Sequence, residues 1–254
     1  MKALFLTRGL PLLTALSLWA LLATMSLAQS PGPLDGKMFG SGNRALVVIL
    51  HGDVSNGGPA NYHYALAQRI AQANPGTSVF AMLRPGYTDG KGGKSPGSNN
   101  NRRDHYTQAN NALVAKTIQN LARQTGASRV LGIGHSGGAA QLGAIAGMYP
   151  GVMNNVILAA CPCNVPEWRA SRGKSDWSNS LSPHSFAGKV PRGTRVFALV
   201  GTKDTNTRPA LSEAYVAALK ARGVPAQLVP VNGAGHNFGG LERSVEQLAN
   251  QILR

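Results

Sequence analysis

The chain is poor in cysteine. It contains two cysteines among 254 residues, Cys161 and Cys163, with Pro162 between them. No second pair of Cys or His residues stands at ligand spacing, so the sequence carries no zinc signature. An oxidised pair would close a very small ring, which would stiffen one loop and hardly restrict the unfolded chain. Two cysteines at a strand end without a special role are the favoured interpretation, and the sequence leaves their redox state open.

Acidic residues are also scarce. Asp and Glu number 10 against 25 Lys and Arg, and no long charged tract is present. With 43% hydrophobic residues, the composition predicts a globular protein and argues against disorder. The basic excess predicts attraction to anionic surfaces or solutes. No basic stretch is interleaved with aromatic residues, so a nucleic-acid partner is not expected.

Long hydrophobic runs are absent except near the start of the chain. Lys2 and Arg8 precede a mostly apolar run over residues 10–23, and Ser26-Leu27-Ala28 follows with small residues where a signal peptidase reads. Residues 1–28 are therefore predicted to be a secretory signal peptide, with a retained membrane anchor as the alternative. The mature protein is expected to begin at or near Gln29, to be soluble without a stable membrane span, and to be periplasmic or secreted. Its net charge would be +13, from 23 basic and 10 acidic residues.

Six short apolar runs alternate with helical patterns along the rest of the chain. Residues 29–43 are rich in Gly, Pro and Ser and are predicted to be a linker or one short leading strand, followed by a single domain over residues 44–254. The apolar runs fit strands covered on both faces; they are residues 45–50, 79–83, 130–133, 156–160, 196–200 and 228–231. The alternation predicts an α/β fold with one doubly wound, mostly parallel sheet of about six strands. Ligands bind at the carboxyl ends of the strands in such sheets.

A serine stands in a glycine-rich turn between a predicted strand and a predicted helix. Residues 134–138 read GHSGG, which has the form G-x-S-x-G. A sharp strand-to-helix turn needs glycines because its backbone comes close to neighbouring chain. Such a turn exposes the Ser136 hydroxyl at the end of the sheet, so Ser136 is the candidate nucleophile.

Serine needs a base, and the base needs an acid to orient it. His236 lies in a glycine-rich turn after the last predicted strand, and Asp204 follows the strand before it. The tight turn is expected to point His135 away, and the other histidines, His63, His105 and His184, lack a comparable setting. For Asp204 the alternative role is a helix cap.

Acyl transfer also needs hydrogen-bond donors aimed at the developing oxyanion. The backbone N–H groups of Gly137 and Asp53 are the best candidates, with Val54 as the alternative to Asp53. An acidic side chain beside an oxyanion is unfavourable unless it points away. Asp53 could instead hold His51 or a loop backbone.

These motifs resemble the α/β-hydrolase superfamily over nearly the whole mature chain. The similarity rests on the strand followed by His51-Gly52, the GHSGG turn, Asp204 and His236, with the three candidate catalytic residues in the superfamily's chain order. Residues 84–90, RPGYTDG, also resemble a loop of its serine-aminopeptidase and lysophospholipase-like branch. Two features depart from the pattern. Little chain precedes Ala45, and the segment between the fifth and sixth strands is too short for a large cap domain.

The expected function is hydrolysis of carboxylic esters through an acyl-enzyme, with no metal or other cofactor. The same residues could serve a peptidase or amidase, and a non-catalytic binding protein on the same fold is a third possibility. Basic residues cluster in two loops at the catalytic edge, so the expected substrate is a small ester that could be anionic. These residues are Lys91, Lys94, Arg102, Arg103, Arg169, Arg172 and Lys174, against Asp89, Asp104, Glu167 and Asp176. Solvated surface charge is the alternative explanation.

Overall fold

The computed structural model describes Met1 and residues 32–254. The predicted signal peptide and the expected mature start at Gln29 lie outside the described residues. Within the described part, no helix combines the length and the apolar character needed to cross a membrane.

Seven strands form one sheet. Their bounds are β1 Gly36–Phe39, β2 Ala45–Leu50, β3 Thr77–Met82, β4 Val130–His135, β5 Asn155–Ala159, β6 Arg195–Gly201 and β7 Ala226–Val231. The spatial order is β1-β3-β2-β4-β5-β6-β7, and only β1 runs antiparallel to its neighbour. The six strands expected from the apolar runs are therefore present and parallel, and the doubly wound α/β fold is confirmed. The seventh strand, β1, lies in the segment 29–43 and pairs with β3.

Helices connect these strands and cover both faces of the sheet. Their bounds are α1 Tyr64–Ala73, α2 Gln108–Thr125, α3 Gly137–Met148, α4 Val165–Ala170, α5 Pro183–Phe186, α6 Pro209–Ala221 and α7 Phe238–Leu253. Helix α2 begins after Thr107, whose side chain accepts a hydrogen bond from the backbone of Asn110, and ends at Gly126 in the left-handed conformation.

Alternate residues of each strand enter two separate hydrophobic cores. On β2, Leu46, Val48 and Leu50 pack on one face with residues of α2, α3 and α6. Ala45, Val47 and Ile49 pack on the other face with residues of α1 and α7. This two-sided burial explains why the strands read as continuous apolar runs.

The segment between β5 and β6 carries α4, α5 and a short 3-10 turn over residues 187–189. It forms no separate cap domain, as its length predicted. At its start, Cys161 and Cys163 are joined by a disulfide with their Cα atoms 5.0 Å apart. The redox state that the sequence left open is therefore the bridged one. Both cysteines are buried beside the β5 end, where the chain turns towards α4.

Candidate active site

Ser136 occupies a sharp turn between β4 and α3. Its backbone has φ 52° and ψ −116°, a conformation that non-glycine residues rarely adopt. The turn is held by the Ser136 N–H, which donates to the carbonyl of Ala159 at 2.8 Å. Because Gly137 is the first residue of α3, its N–H has no acceptor within the helix. The end of α3 with unpaired N–H groups thus lies directly beside the serine hydroxyl.

The glycines of this turn are required by close packing. A Cβ on Gly137 would overlap the carboxylate of Asp53, and a Cβ on Gly138 would lie 2.5 Å from the carbonyl oxygen of His51. The loop after β2 and the start of α3 are therefore in direct contact, which only glycine permits.

We expect Gly137→Ala to lower kcat/KM for an ester about a hundredfold or more, because the loop after β2 must move by about an ångström to admit the methyl group. Steady-state kinetics on a chromogenic ester measure this change. Gly188→Ala is the matched control, since a Cβ there would meet no atom within 4 Å. Equal kinetics for the two variants would contradict the packing argument.

The structure brings together the three residues that the sequence singled out. The Nε2 atom of His236 lies 3.0 Å from the hydroxyl of Ser136, and its Nδ1 atom lies 2.9 Å from Asp204 Oδ2. These distances allow proton transfer from the serine to the imidazole and a hydrogen bond from the imidazole to the carboxylate.

Asp204 is buried in the loop that follows β6. Its Oδ1 accepts the N–H groups of Asn206 and Thr207, and its Oδ2 accepts the Thr207 hydroxyl at 2.7 Å. Burial alone would raise the pKa of this carboxyl, but the hydrogen bonds and the His236 ring outweigh burial and lower it. The helix-cap alternative does not apply, because α6 begins at Pro209 with Arg208 at the cap position.

His135 has a role that the sequence did not predict. The tight turn was expected to point it away, but its Nε2 lies 3.0 Å from the carbonyl oxygen of His236. Its Nδ1 lies 2.6 Å from the hydroxyl of Tyr62, which in turn accepts the N–H of Gly52 at 2.5 Å. His135 therefore links the loop after β2 to the loop that carries His236. The chain spacing gave no signal for this contact, since Tyr62 and His236 are remote in sequence.

Arg84 and Asp53 form a buried ion pair beneath the serine turn. The Arg84 side chain is inaccessible to solvent, and its Nη1 lies 2.8 Å from Asp53 Oδ1. Its Nε donates to Gln141 Oε1 at 2.6 Å, and its Nη2 lies 3.0 Å from His105 Nε2. In the sequence, Arg84 stands out only as the first residue of the RPGYTDG segment over residues 84–90. A fully buried arginine cannot be recognised from sequence, because most arginines are exposed.

The Asp53 carboxylate points into this network. Tyr106 donates to its Oδ2 at 2.6 Å, and the Tyr87 hydroxyl donates to its backbone carbonyl at 2.9 Å. Burial would raise the pKa of Asp53, but Arg84, His105 and Tyr106 together lower it. The alternative that Asp53 holds the His51 side chain does not apply, because the His51 ring contacts the carbonyl of Gly52 and the N–H of Arg84.

Four histidines around the site are buried. Burial lowers the pKa of His51 well below its usual value, that of His63 to about 3, and those of His105 and His135 to about 4. Because the folded state holds these rings neutral, their contribution to stability is complete above the unfolded pKa of about 6.5 and is lost as the pH falls below it.

We therefore expect the free energy of unfolding to fall steeply below about pH 6, by up to about 1.4 kcal/mol per pH unit for each buried ring. Urea unfolding at several pH values measures the slope. His63→Gln is the informative variant, because His63 is buried and its Nε2 lies 3.1 Å from the carbonyl oxygen of Met82. The side-chain amide of glutamine can donate a hydrogen bond to that oxygen in place of the imidazole, and it does not titrate. Between about pH 7 and pH 5, the free energy of unfolding of this variant should fall by about 2 kcal/mol less than that of wild type. An unchanged slope would contradict the neutral-ring assignment.

Ser136 and His236 open into a cavity of about 1010 Å³. Its walls come from the segments that follow each of the strands β2 to β7 and include Asp53, Trp168, Trp177 and Phe238. Five of the seven basic residues expected at the catalytic edge line it, namely Arg102, Arg103, Arg169, Arg172 and Lys174, whereas Lys91 and Lys94 do not. The acidic lining residues are Asp53, paired with Arg84, and Glu242, paired with Arg69. None of the four acidic residues weighed against the basic cluster lines the cavity.

Among the described residues, no three His, Cys, Asp or Glu side chains are grouped so that they could hold a metal ion.

Several solved structures share this fold. A monoacylglycerol lipase from Paleococcus ferrophilus is 19% identical, with a TM-score of 0.63 over 86% of this chain and 98% of its own. Est1E from Butyrivibrio proteoclasticus, solved with ferulic acid, is 17% identical, with a TM-score of 0.64 over 87% of this chain and 94% of its own. An acylaminoacyl peptidase is 16% identical, with a TM-score of 0.67 over 87% of this chain and 39% of its own. At these identities the similarity establishes the fold.

A search of curated proteins finds no match. A family model does match, over residues 87–253, which include the GHSGG turn, Asp204 and His236. The chain is a serine hydrolase with the α/β-hydrolase fold, and it belongs to the prolyl oligopeptidase family, Peptidase_S9.

Proposed function

We propose that this protein hydrolyses carboxylic esters through an acyl-enzyme, with Ser136 as nucleophile, His236 as general base and Asp204 as the orienting acid. The observation that carries the proposal is the pair of contacts at 3.0 Å and 2.9 Å that His236 makes with Ser136 and Asp204. His236 takes the serine proton as the hydroxyl attacks the carbonyl, and it returns that proton to the leaving alcohol. Water then attacks the acyl-enzyme by the same route and releases the acid.

The oxyanion of each tetrahedral intermediate is proposed to accept hydrogen bonds from the backbone N–H groups of Gly137 and Asp53. Gly137 follows the nucleophile at the start of α3, and Asp53 packs against it. The ion pair with Arg84 compensates the Asp53 carboxylate, whose uncompensated charge would oppose a developing oxyanion. The alternative second donor, Val54, has a positive φ of 46°, and its carbonyl accepts a hydrogen bond from Arg102.

Peptide or amide hydrolysis by the same residues is the second candidate, and the family match favours considering it. An amine leaves less readily than an alcohol, so its protonation by His236 decides between the two reactions. A panel of ester and aminoacyl substrates of graded length, assayed on the mature protein, distinguishes them. Higher kcat/KM for aminoacyl amides than for matched esters would favour the peptidase. A folded protein that neither turns over any of them nor reacts with a fluorophosphonate would be a binding protein.

The proposed location is outside the cytoplasm, either periplasmic or secreted, after removal of residues 1–28. The support is the order of the basic start, the apolar run and Ser26-Leu27-Ala28. We expect N-terminal sequencing of exported protein to begin at or near Gln29. A membrane-bound product that retains Met1 would contradict this proposal.

A further inference from the structure

A group of cations with no acidic partner lies on one wall of the cavity. Arg169 and Arg172, on and just after α4, line the cavity that contains Ser136. Within the described part of the chain, neither arginine has a carboxylate oxygen within 4.0 Å. Glu167, Asp176 and Asp104 are the acidic residues in the surrounding segments. Asp176 and Asp104 instead accept backbone hydrogen bonds from Trp177 and Asn179.

Aromatic rings and a backbone carbonyl hold these cations in place. The Arg169 guanidinium lies 4.9 Å from the Trp177 ring centre and 5.6 Å from that of Trp168, and Arg172 lies 5.5 Å from the Trp168 ring. Arg169 Nε donates to the carbonyl of Ser175 at 2.8 Å, which leaves its terminal amino groups without a protein acceptor among the described residues. Trp168 is itself fixed, because it is buried and its Nε1 donates to Asn206 Oδ1 at 3.3 Å.

This arrangement differs from ordinary surface charge. A solvated arginine needs no fixed position, whereas these side chains are packed on indole rings with donors still available. A guanidinium with free donors matches the geometry of a carboxylate, phosphate or sulfate group. Asn206 also donates its N–H to Asp204 Oδ1 at 2.8 Å, so Trp168 connects this wall to the loop that carries Asp204.

We propose that Arg169 and Arg172, supported by Trp168 and Trp177, form a subsite for a negatively charged group on the substrate, so that the preferred ester is anionic. This inference rests on the proposed ester hydrolysis at Ser136. The subsite acts by binding, so it should lower KM for anionic esters and leave the chemical step to Ser136 and His236.

The test compares esters that differ in one charge. para-Nitrophenyl hemiadipate and para-nitrophenyl hexanoate differ by one negative charge in the acyl group. para-Acetoxybenzoate and phenyl acetate differ by one negative charge in the leaving group. We expect wild type to prefer the anionic member of at least one pair, chiefly through KM, and the pair that responds identifies which part of the substrate faces the arginines. In Arg169→Gln/Arg172→Gln the ratio of kcat/KM for the anionic to the neutral ester should fall about tenfold or more.

Lys91→Gln is the matched control. It removes one positive charge, as Arg172→Gln alone does, but Lys91 lies outside the cavity. Arg172→Gln alone is a second variant, because the Arg172 side chain contacts the Trp168 ring and makes no hydrogen bond among the described residues. Rising salt should reduce the wild-type preference and leave the double variant nearly unaffected. The subsite is refuted if the double variant and Lys91→Gln change the ratio equally, or if wild type shows no preference in either pair.

A binding measurement separates this proposal from the proposed chemistry. Calorimetry on Ser136→Ala uses methyl hemiadipate if the acyl pair responds and para-acetoxybenzoate if the leaving-group pair responds, and it reports the subsite without turnover. Loss of binding in the Ser136→Ala/Arg169→Gln/Arg172→Gln protein supports the subsite. Binding that persists unchanged would overturn the subsite even if esters are hydrolysed. Failure of wild type to hydrolyse any of the four esters would overturn the proposed function and leave the calorimetric result to decide the subsite.

Discussion

Ser136→Ala should abolish ester hydrolysis, with kcat reduced on the order of a millionfold. The hydroxyl oxygen is the atom that would bond to the acyl carbon, and the only polar side chain it contacts among the described residues is His236. Alanine keeps the Cβ and therefore keeps whatever strain the turn has at φ 52°. We accordingly expect labelling by a fluorophosphonate to disappear and the melting temperature to change little.

The control for this variant is another serine in the same cavity. Ser55 lines the cavity and is exposed, so Ser55→Ala should retain both turnover and labelling. Ordinary turnover by Ser136→Ala would show that the reaction does not use Ser136, and loss of activity in both variants would show that the effect is not specific to the Ser136 hydroxyl. Mass spectrometry of the labelled wild type should place the adduct on the peptide containing residues 134–138.

Arg84→Met should destabilise the protein by about 3 to 5 kcal/mol, because it leaves the Asp53 carboxylate buried without its counter-ion. Arg84 is inaccessible to solvent and also donates to the Gln141 amide oxygen and to the carbonyl of His51. Removing it therefore leaves several buried acceptors unsatisfied. Chemical unfolding of the variant and of wild type measures the difference.

The double variant Asp53→Asn/Arg84→Met tests the cause. Asparagine keeps an oxygen that can accept from Tyr106 but carries no charge, so the penalty for a lone buried carboxylate disappears. We expect the double variant to recover about 2 kcal/mol or more relative to Arg84→Met. Additive effects of the two substitutions would show that the arginine acts by packing and not by compensating charge.

The pH dependence of the destabilisation caused by Arg84→Met also tests whether Arg84 compensates the charge of Asp53. In wild type the pKa of Asp53 is lowered, so its contribution is present above the unfolded value of about 3.9 and is lost as the pH falls through the folded pKa. Without Arg84, burial should raise that pKa above the unfolded value. The destabilisation caused by Arg84→Met should therefore be smaller at about pH 5 than at about pH 8. Equal destabilisation at both values would mean that Asp53 does not titrate in this range.

The sequence by itself was sufficient to predict the sheet and to predict that Ser136, His236 and Asp204 lie together. Strands buried on both faces consist of uninterrupted apolar residues, and sharp turns at strand ends need glycine. Both features can therefore be recognised from short stretches of the sequence. Parallel strands place their carboxyl ends at one edge, so residues 100 and 32 positions apart can be predicted to lie together without knowledge of any side-chain contact. The strand β1 was less visible, because a four-residue edge strand in a Gly-rich and Pro-rich segment has little periodicity to detect.

Only the tertiary structure showed the arrangement around those residues. The pairing of Arg84 with Asp53 and the link from Tyr62 through His135 to the His236 loop join segments that are distant along the chain. The stacking of Arg169 on Trp168 and Trp177 joins residues that are near in sequence, but no pattern in the chain predicts it. Each depends on side-chain direction and burial, which a linear pattern does not encode. The Cys161–Cys163 disulfide was also not predictable from the sequence, although the two residues are close in the chain. Their spacing permits both a bridged and an unbridged pair, and the backbone path after β5 decides between them.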